Sequence, residues 1–364
     1  MKIIIVLQSY NGGGAEKIAL TLAREWTEEG HDVTLAVLFP RGPYRNAVPS
    51  DLPVYEMGIK RERSALFGLR KIFKDRSPDV VLSAFRATHI WLALALILSR
   101  KPLVIFREAN IFFPRKTKSL KGLFTKYFLS LAYRRANKII ANSNDTKTSL
   151  KEILPFVERK IDVIPNPIDF DALAVESNIT HDYTWIESSA EKVIVSMGRL
   201  HPQKNFSLLI RAFAIASASN PQLHLVIIGD GELRSDLEDL TVTLSVQEKV
   251  TFTGFIDEPA RILTCCNLYV QTSVYEGFGN ALVEAIGCGV PVMAMDCTGA
   301  PKEIIEDNTI GHLFPGCTPE ELAELMAQFF LGELRIDPAP LDYMKSKYSA
   351  KKIAKRYIDA FPKC

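Results

Sequence analysis

Lys2-Ile-Ile-Ile-Val-Leu-Gln-Ser-Tyr-Asn-Gly-Gly-Gly-Ala-Glu-Lys17 opens the chain with an apolar β-branched run, a glycine turn and the start of an amphipathic stretch. Consecutive apolar residues suit a strand buried on both faces, the environment of a parallel sheet covered by helices. The same unit recurs. Ile3–Leu7, Val33–Leu38, Val80–Ser83, Leu103–Phe106, Ile139–Ala141 and Ile161–Ile164 read as buried parallel strands. Helical patterns such as Ala15–Glu29, Leu66–Lys74 and Leu120–Arg135 lie between them. The rhythm breaks at Pro165-Asn166-Pro167, and a polar, unpatterned stretch runs to Glu191. It restarts with Val193–Met197, Leu225–Ile228, Val250–Thr253, Leu268–Gln271 and Val290–Met295. Two βα series joined by a hinge imply an α/β protein of two doubly wound domains facing across a cleft. The expected boundaries are 1–165 and 166–345. A last segment, 346–364, carries the amphipathic helix Ala350–Phe361, expected to return to the first domain.

A length of 364 residues also favours two domains, and 47% hydrophobic with 24% charged residues excludes a disordered chain. The 20 Gly and 20 Pro fall without period, which excludes collagen-like and low-complexity classes. The net charge of +2 conceals an asymmetry. Residues 1–170 hold 28 Lys+Arg against 16 Asp+Glu, and residues 171–364 hold 16 against 26, so a basic front half precedes an acidic back half. All six cysteines lie in the back half among mostly apolar neighbours with no CxxC pair, which reads as buried thiols in a reducing compartment. The hydrophobic stretch at the N-terminus is too short for a signal peptide. The longest apolar run, Ile90–Leu98, is far below the roughly 20 residues that span a bilayer. The expectation is a cytoplasmic protein or one lying on a membrane.

Glycines at 12–14 follow the first strand and open the first helix, where backbone N–H groups meet the positive helix end and can receive a phosphate or sugar. The same glycines would also serve a tight turn without ligand. The fingerprint GxGxxG needs glycine at 17, and Lys17 stands there, so a nicotinamide or flavin is disfavoured. Arg199 and Lys204 follow Met197-Gly198 at a strand's carboxyl edge, where open α/β sheets bind ligands. Two such cations can grip a diphosphate without metal, or remain solvated surface charges. Tyr275-Glu-Gly-Phe-Gly-Asn-Ala-Leu-Val-Glu284 places two carboxylates around a glycine-opened helix start near Asn280, so Glu276 and Glu284 can touch different parts of one ligand. Gly229 lies in a further strand-to-helix turn, Gly229-Asp-Gly-Glu232. The D-x-D string Asp169-Phe-Asp171 sits in the hinge and reads as turn capping, so no metal is expected.

Gly-Gly-Gly-Ala-Glu, Asn166-Pro-Ile-Asp169, Gly198-Arg199 with Lys204-Asn205, Gly229-Asp-Gly-Glu232 and Glu276-x7-Glu284 occur in the order of a known family. Over nearly its whole length the chain resembles a retaining glycosyltransferase of the two-Rossmann-domain (GT-B) type, glycosyltransferase family 4. That resemblance implies that Arg199 and Lys204 hold the donor's diphosphate, with Glu284 on the ribose and Glu276 on a sugar hydroxyl. It implies a catalytic set of Arg199, Lys204 and Glu276. Donor contacts would further include Gly13, Gly14, Gly229, the amides of Phe278, Gly279, Asn280 and Leu282, and the turn at Phe255 and Ile256 facing the base. Many relatives carry a histidine after the fourth strand of the first domain. Ala109 stands at that position here, with His89 earlier and Arg107 and Glu108 as acceptor-side candidates.

From Ala109 to Asn144 there is no acidic residue but there are eight cations, interleaved with aromatic and leucine residues. Lys116, Lys118, Lys121, Phe124 and Lys126 read as a surface for anionic lipid. An ordinary helix packing on the sheet would give part of that pattern. The sequence therefore predicts a metal-independent enzyme without cofactor, moving a hexose or N-acetylhexosamine from a nucleotide-sugar, favoured as a UDP-sugar, to a glycolipid or oligosaccharide acceptor. It would work at the inner face of the cytoplasmic membrane, with no nucleic acid expected. The rival readings are a nucleotide-sugar epimerase or phosphorylase on the same fold, or a non-catalytic membrane or RNA-binding protein.

Overall fold

The computed structural model describes residues 1–11, 13–97, 101–111, 120–174 and 192–362, with only the backbone described from 120 to 126. The chain divides into two compact units, Met1–Ile168 with Tyr348–Cys364, and Asp169–Lys347. Each is built on one parallel sheet.

The first sheet has seven strands: β1 (Lys2–Ser9), β2 (Asp32–Phe39), β3 (Val54–Glu56), β4 (Val80–Ser83), β5 (Leu103–Glu108), β6 (Lys138–Ala141) and β7 (Ile161–Val163). Their order is β3-β2-β1-β4-β5-β6-β7. The sense of winding reverses between β1 and β4, which pair directly. Side-chain alternation divides β1 between two cores. Ile3, Ile5 and Leu7 pack with Ile18, Leu22 and Trp26 of the helix Gly14–Glu28, and Ile4 and Val6 pack on the other face with Leu69, Leu92 and Tyr133. The terminal helix Ala350–Ala360 belongs to the first of these cores. Ile353, Ala354 and Tyr357 are buried there, and Trp26 Nε1 donates to the Ala354 carbonyl at 3.1 Å. Ile168 N donates to Tyr348 O at 2.8 Å and Ala350 N to Ile168 O at 2.9 Å, which fastens this segment to the end of the first unit.

The second sheet has six strands: β8 (Lys192–Met197), β9 (Leu223–Ile228), β10 (Val250–Gly254), β11 (Leu268–Gln271), β12 (Val292–Met295) and β13 (His312–Phe314). Their order, β10-β9-β8-β11-β12-β13, reverses between β8 and β11. The strands β3 and β13 were not anticipated from sequence. Each has three residues at a sheet edge with at most one of them buried and no β-branched run, whereas the equally short β7 lies in the run Ile161–Ile164. Strand β12 starts at Val292 instead of Val290, because Pro291 has no N–H to give the ladder; its carbonyl still accepts from Tyr269 N at 2.9 Å.

Candidate active site

Both switch points place loops at the carboxyl ends of the central strands, and the denser constellation lies in the second unit. Loop 198–205 leaves β8 and lies over the turn after β9. Gly198 N donates to Ile228 O at 2.9 Å, and Leu200 N to Asp230 O at 3.0 Å. The contact is close enough to demand glycine. A Cβ on Gly229 would stand 2.0 Å from the Gly198 carbonyl oxygen, at a φ of +137° that side chains rarely adopt. The far end of the same loop is tied to the segment after β11. Val274 N donates to Gln203 O at 2.8 Å, Gln203 Nε2 to Tyr275 O at 2.9 Å, and the Thr272 hydroxyl to the carbonyl of Lys204 at 3.0 Å.

These ties bring together residues 72 positions apart in sequence. Lys204 Nζ stands 2.5 Å from Glu276 Oε1, and the Ser273 hydroxyl donates to the same oxygen at 2.6 Å. Glu276 is buried, and Gly299 allows its backbone in, since a Cβ there would lie 1.9 Å from the Glu276 carbonyl oxygen. Arg199 is exposed beside the pair's loop. Gly279, at φ +101°, starts the helix Asn280–Gly287, whose second turn carries the buried Glu284. Phe278 and Leu282 are buried, and the Leu282 amide already donates to Gly279 O at 3.0 Å. Phe255 is exposed and Ile256 half-buried in the loop after β10. Positive ends of amides, two cations and two carboxylates thus share one sheet edge, a set suited to a polyanion joined to hydroxyl-bearing groups.

The remaining site candidates lie in the first unit. Gly13 is the extended residue before the helix Gly14–Glu28, and its N–H donates to Asn11 O at 2.6 Å. Arg107 and Glu108 end β5 on opposite faces and are both buried. Arg107 holds Asn166 Oδ1 at 2.6 Å and the Tyr357 hydroxyl at 3.2 Å. Glu108 receives Arg86 Nε at 2.7 Å, His89 Nε2 at 3.1 Å and the Tyr133 hydroxyl. Burial alone would raise the Glu108 carboxyl; the Arg86 charge and the bonds from His89 and Tyr133 outweigh it and hold the pKa down at about 2. Burial lowers the His89 pKa, so the ring is neutral; Nε2 donates to Glu108 and Nδ1 accepts from Ser83 Oγ at 2.9 Å. Both ring nitrogens are therefore engaged, and the ring stacks on Phe106 with centroids 4.0 Å apart. His89 leaves no ring nitrogen to stand in for a histidine at Ala109. Neither Arg107 nor Glu108 presents its side chain at the surface; Glu108 acts outward through Arg86, which is one-third exposed.

Residues 12–172 match Glycosyltransferase Family 4, and residues 184–350 match Glycosyl transferases group 1. The chain belongs to the family 4 glycosyltransferases. It is 26% identical over 327 residues, 86% of this chain and 85% of the relative, to the N-acetylgalactosamine-N,N'-diacetylbacillosaminyl-diphospho-undecaprenol 4-alpha-N-acetylgalactosaminyltransferase of Campylobacter jejuni. It is 27% identical to the UDP-Gal:alpha-D-GlcNAc-diphosphoundecaprenol alpha-1,3-galactosyltransferase of Escherichia coli, over 67% of this chain and 64% of that one. Anabaena HepE in complex with UDP-glucose superposes with a TM-score of 0.85 at 21% identity, covering 99% of this chain and 98% of that one. The fold is therefore GT-B, with its sheets of seven and six strands.

In this glycosyltransferase several expected features are located by the structure and others fall outside it. Asp169 caps the short helix Phe170–Leu173 by accepting from Ala172 N at 3.1 Å, and Asp171 is exposed. Lys116 and Lys118 lie outside the described residues, and of Lys121, Phe124 and Lys126 only the helical backbone is described. Among the described residues no helix is long and apolar enough to cross a membrane. Sequence reading missed Ser273, which anchors Glu276, and missed Arg86 and Tyr133, which join His89 around Glu108. The Ser-x-x-Glu spacing offered a signal for the first; nothing local signals the second, which joins three separate elements.

Proposed function

We propose that this glycosyltransferase moves a hexose or N-acetylhexosamine from a UDP-sugar, with anomeric configuration retained, to a lipid-linked saccharide. The observation that carries this reading is the Lys204–Glu276 pair set between exposed Arg199 and the helix start at Gly279. The named activities of the Campylobacter and Escherichia relatives, both on undecaprenol-diphosphate substrates, support the acceptor class. UDP in the HepE complex and UDP-Gal in the Escherichia enzyme's name support the donor.

In this mechanism the donor diphosphate lies across loop 198–205. Arg199 binds it bidentately and Lys204 turns from Glu276 to the phosphate that leaves. Glu276, released from Lys204 but still held by Ser273, accepts from a hydroxyl of the sugar, and Glu284 accepts from the ribose. The acceptor hydroxyl attacks the anomeric carbon on the face from which the nucleotide departs. As the bond to the phosphate oxygen breaks, that oxygen takes the hydroxyl proton, so the new glycosidic bond keeps the donor's configuration. Negative charge gathers on the diphosphate and is met by two cations and main-chain amides without a metal. The basic stretch from Arg115 to Lys138 would rest on anionic lipid at the inner face of the cytoplasmic membrane.

The test incubates purified protein with a panel of UDP-, GDP- and ADP-sugars and a polyprenyl-diphosphate-linked N-acetylhexosamine, and analyses the product by mass spectrometry and NMR. One added sugar in the donor's own configuration is expected. Sugar release without acceptor dependence, or product of inverted configuration, overturns the mechanism.

A further inference from the structure

Buried polar groups in folded proteins are nearly always hydrogen-bonded, and those that are not call for an explanation. Among the described residues four buried side-chain polar atoms lack a partner, and three of them belong to one strand: Tyr269 Oη and both polar atoms of Gln271, on β11. The Tyr269 hydroxyl lies by the Met197 backbone outside hydrogen-bond geometry. Neither the amide nitrogen nor the oxygen of the Gln271 carboxamide has a hydrogen-bond partner.

Its position is specific. Leu268 and Val270 point into the main core of the second unit, so Tyr269 and Gln271 point to the opposite face. There Gln271 Oε1 lies 3.9 Å from where a Cβ of Gly279 would stand, directly beneath the residue that starts the helix Asn280–Gly287. Gln271 is 3% exposed, so its carboxamide is shielded from solvent beside that turn. A leucine or methionine would fill the same space without stranding two polar atoms. The covering turn, Glu276-Gly277-Phe278-Gly279, contains two glycines, one of them at positive φ, and can change its path at low conformational cost.

We infer that Gln271 is a positioning residue for the nucleotide diphosphate, an inference that rests on the donor-site reading above. Arrival of the diphosphate at the helix start draws the amides of the Gly277–Asn280 segment toward its oxygens. The turn then presents main-chain groups to Gln271, whose carboxamide can both donate and accept, and the new hydrogen bonds hold the amides on the anion. The unpaired carboxamide is the half of that arrangement that the fold already holds in place.

Gln271→Met and Gln271→Leu separate this role from a packing role. The dissociation constant for UDP is measured by calorimetry, together with the melting temperature of the ligand-free protein. The inference expects a melting temperature equal to or above wild type, because a polar group without partners has been removed, and a UDP dissociation constant raised at least threefold. A packing role moves the first quantity and not the second. UDP affinity within threefold of wild type in both variants overturns the inference while leaving the donor site in place. Failure of the wild type to bind UDP overturns the donor-site reading and this inference with it. In wild-type protein with glutamine side chains labelled with 15N, UDP should shift the Gln271 amide resonances. Unmoved resonances overturn the inference even if neither variant folds.

Discussion

Removing the Lys204 ammonium tests the electrostatics of the site in two independent ways. Lys204 Nζ lies 2.5 Å from Glu276 Oε1, and the buried carboxylate has the Ser273 hydroxyl as its second donor. Lys204→Met leaves that charge uncompensated. Breaking one side of a buried pair costs about 3–5 kcal/mol, and the lower end applies because the Lys204 side chain keeps 18% of its exposure. For a unit of this size a loss of about 3 kcal/mol lowers the melting temperature by roughly 6–12 °C. Adding Glu276→Gln removes the stranded charge while keeping a group that Ser273 can bond, so the double variant should regain at least about half of the lost stability. Turnover should behave otherwise. The single variant loses a cation from the leaving diphosphate and should fall by about 100-fold or more, and the double variant should not recover. Calorimetric melting and a radiolabelled sugar-transfer assay read the two quantities. An unchanged melting temperature in Lys204→Met would mean that the pair contributes nothing to the ligand-free fold. Restored turnover in the double variant would remove Lys204 from the reaction.

Two further outcomes follow from particular contacts. Glu108 titrates at about 2 in the folded first unit against an ordinary 4.5, so its contribution is fully present above about pH 5 and is lost as the pH falls toward 2. The difference amounts to about 3 kcal/mol; Glu108→Gln should flatten the acid limb of a circular-dichroism unfolding series, and an unchanged acid midpoint would contradict the cluster's role. Gly229→Ala must displace the Gly198 carbonyl, which its Cβ would approach to 2.0 Å, and with it the loop bearing Arg199 and Lys204. A stability loss of about 1–3 kcal/mol and at least a tenfold fall in kcat/KM are expected, and wild-type values in both would show that the two loops do not lie against each other.

The sequence by itself determined the repeated strand–helix rhythm, because strands buried on both faces must be apolar at consecutive positions, as in Ile3–Leu7 and Leu225–Ile228. It also determined the glycine-marked turns, since close backbone approaches such as Gly229 over Gly198 and Gly299 over Glu276 admit no Cβ. Arg199, Lys204, Glu276 and Glu284 were legible as candidates because they sit in local strings next to those turns. Edge strands β3 and β13 were not legible, for Val54-Tyr-Glu56 and His312-Leu-Phe314 form no β-branched run and bury at most one residue each. Tertiary structure alone decided what each charged residue touches. Glu276 meets Lys204 through hydrogen bonds between loops 72 residues apart, Glu108 is surrounded by groups from two helices, and Arg107 is spent on Asn166 and Tyr357 inside the first unit. Only the fold could reveal that Gln271 is buried without a partner, because a sequence specifies which polar groups exist while packing specifies which of them find one another.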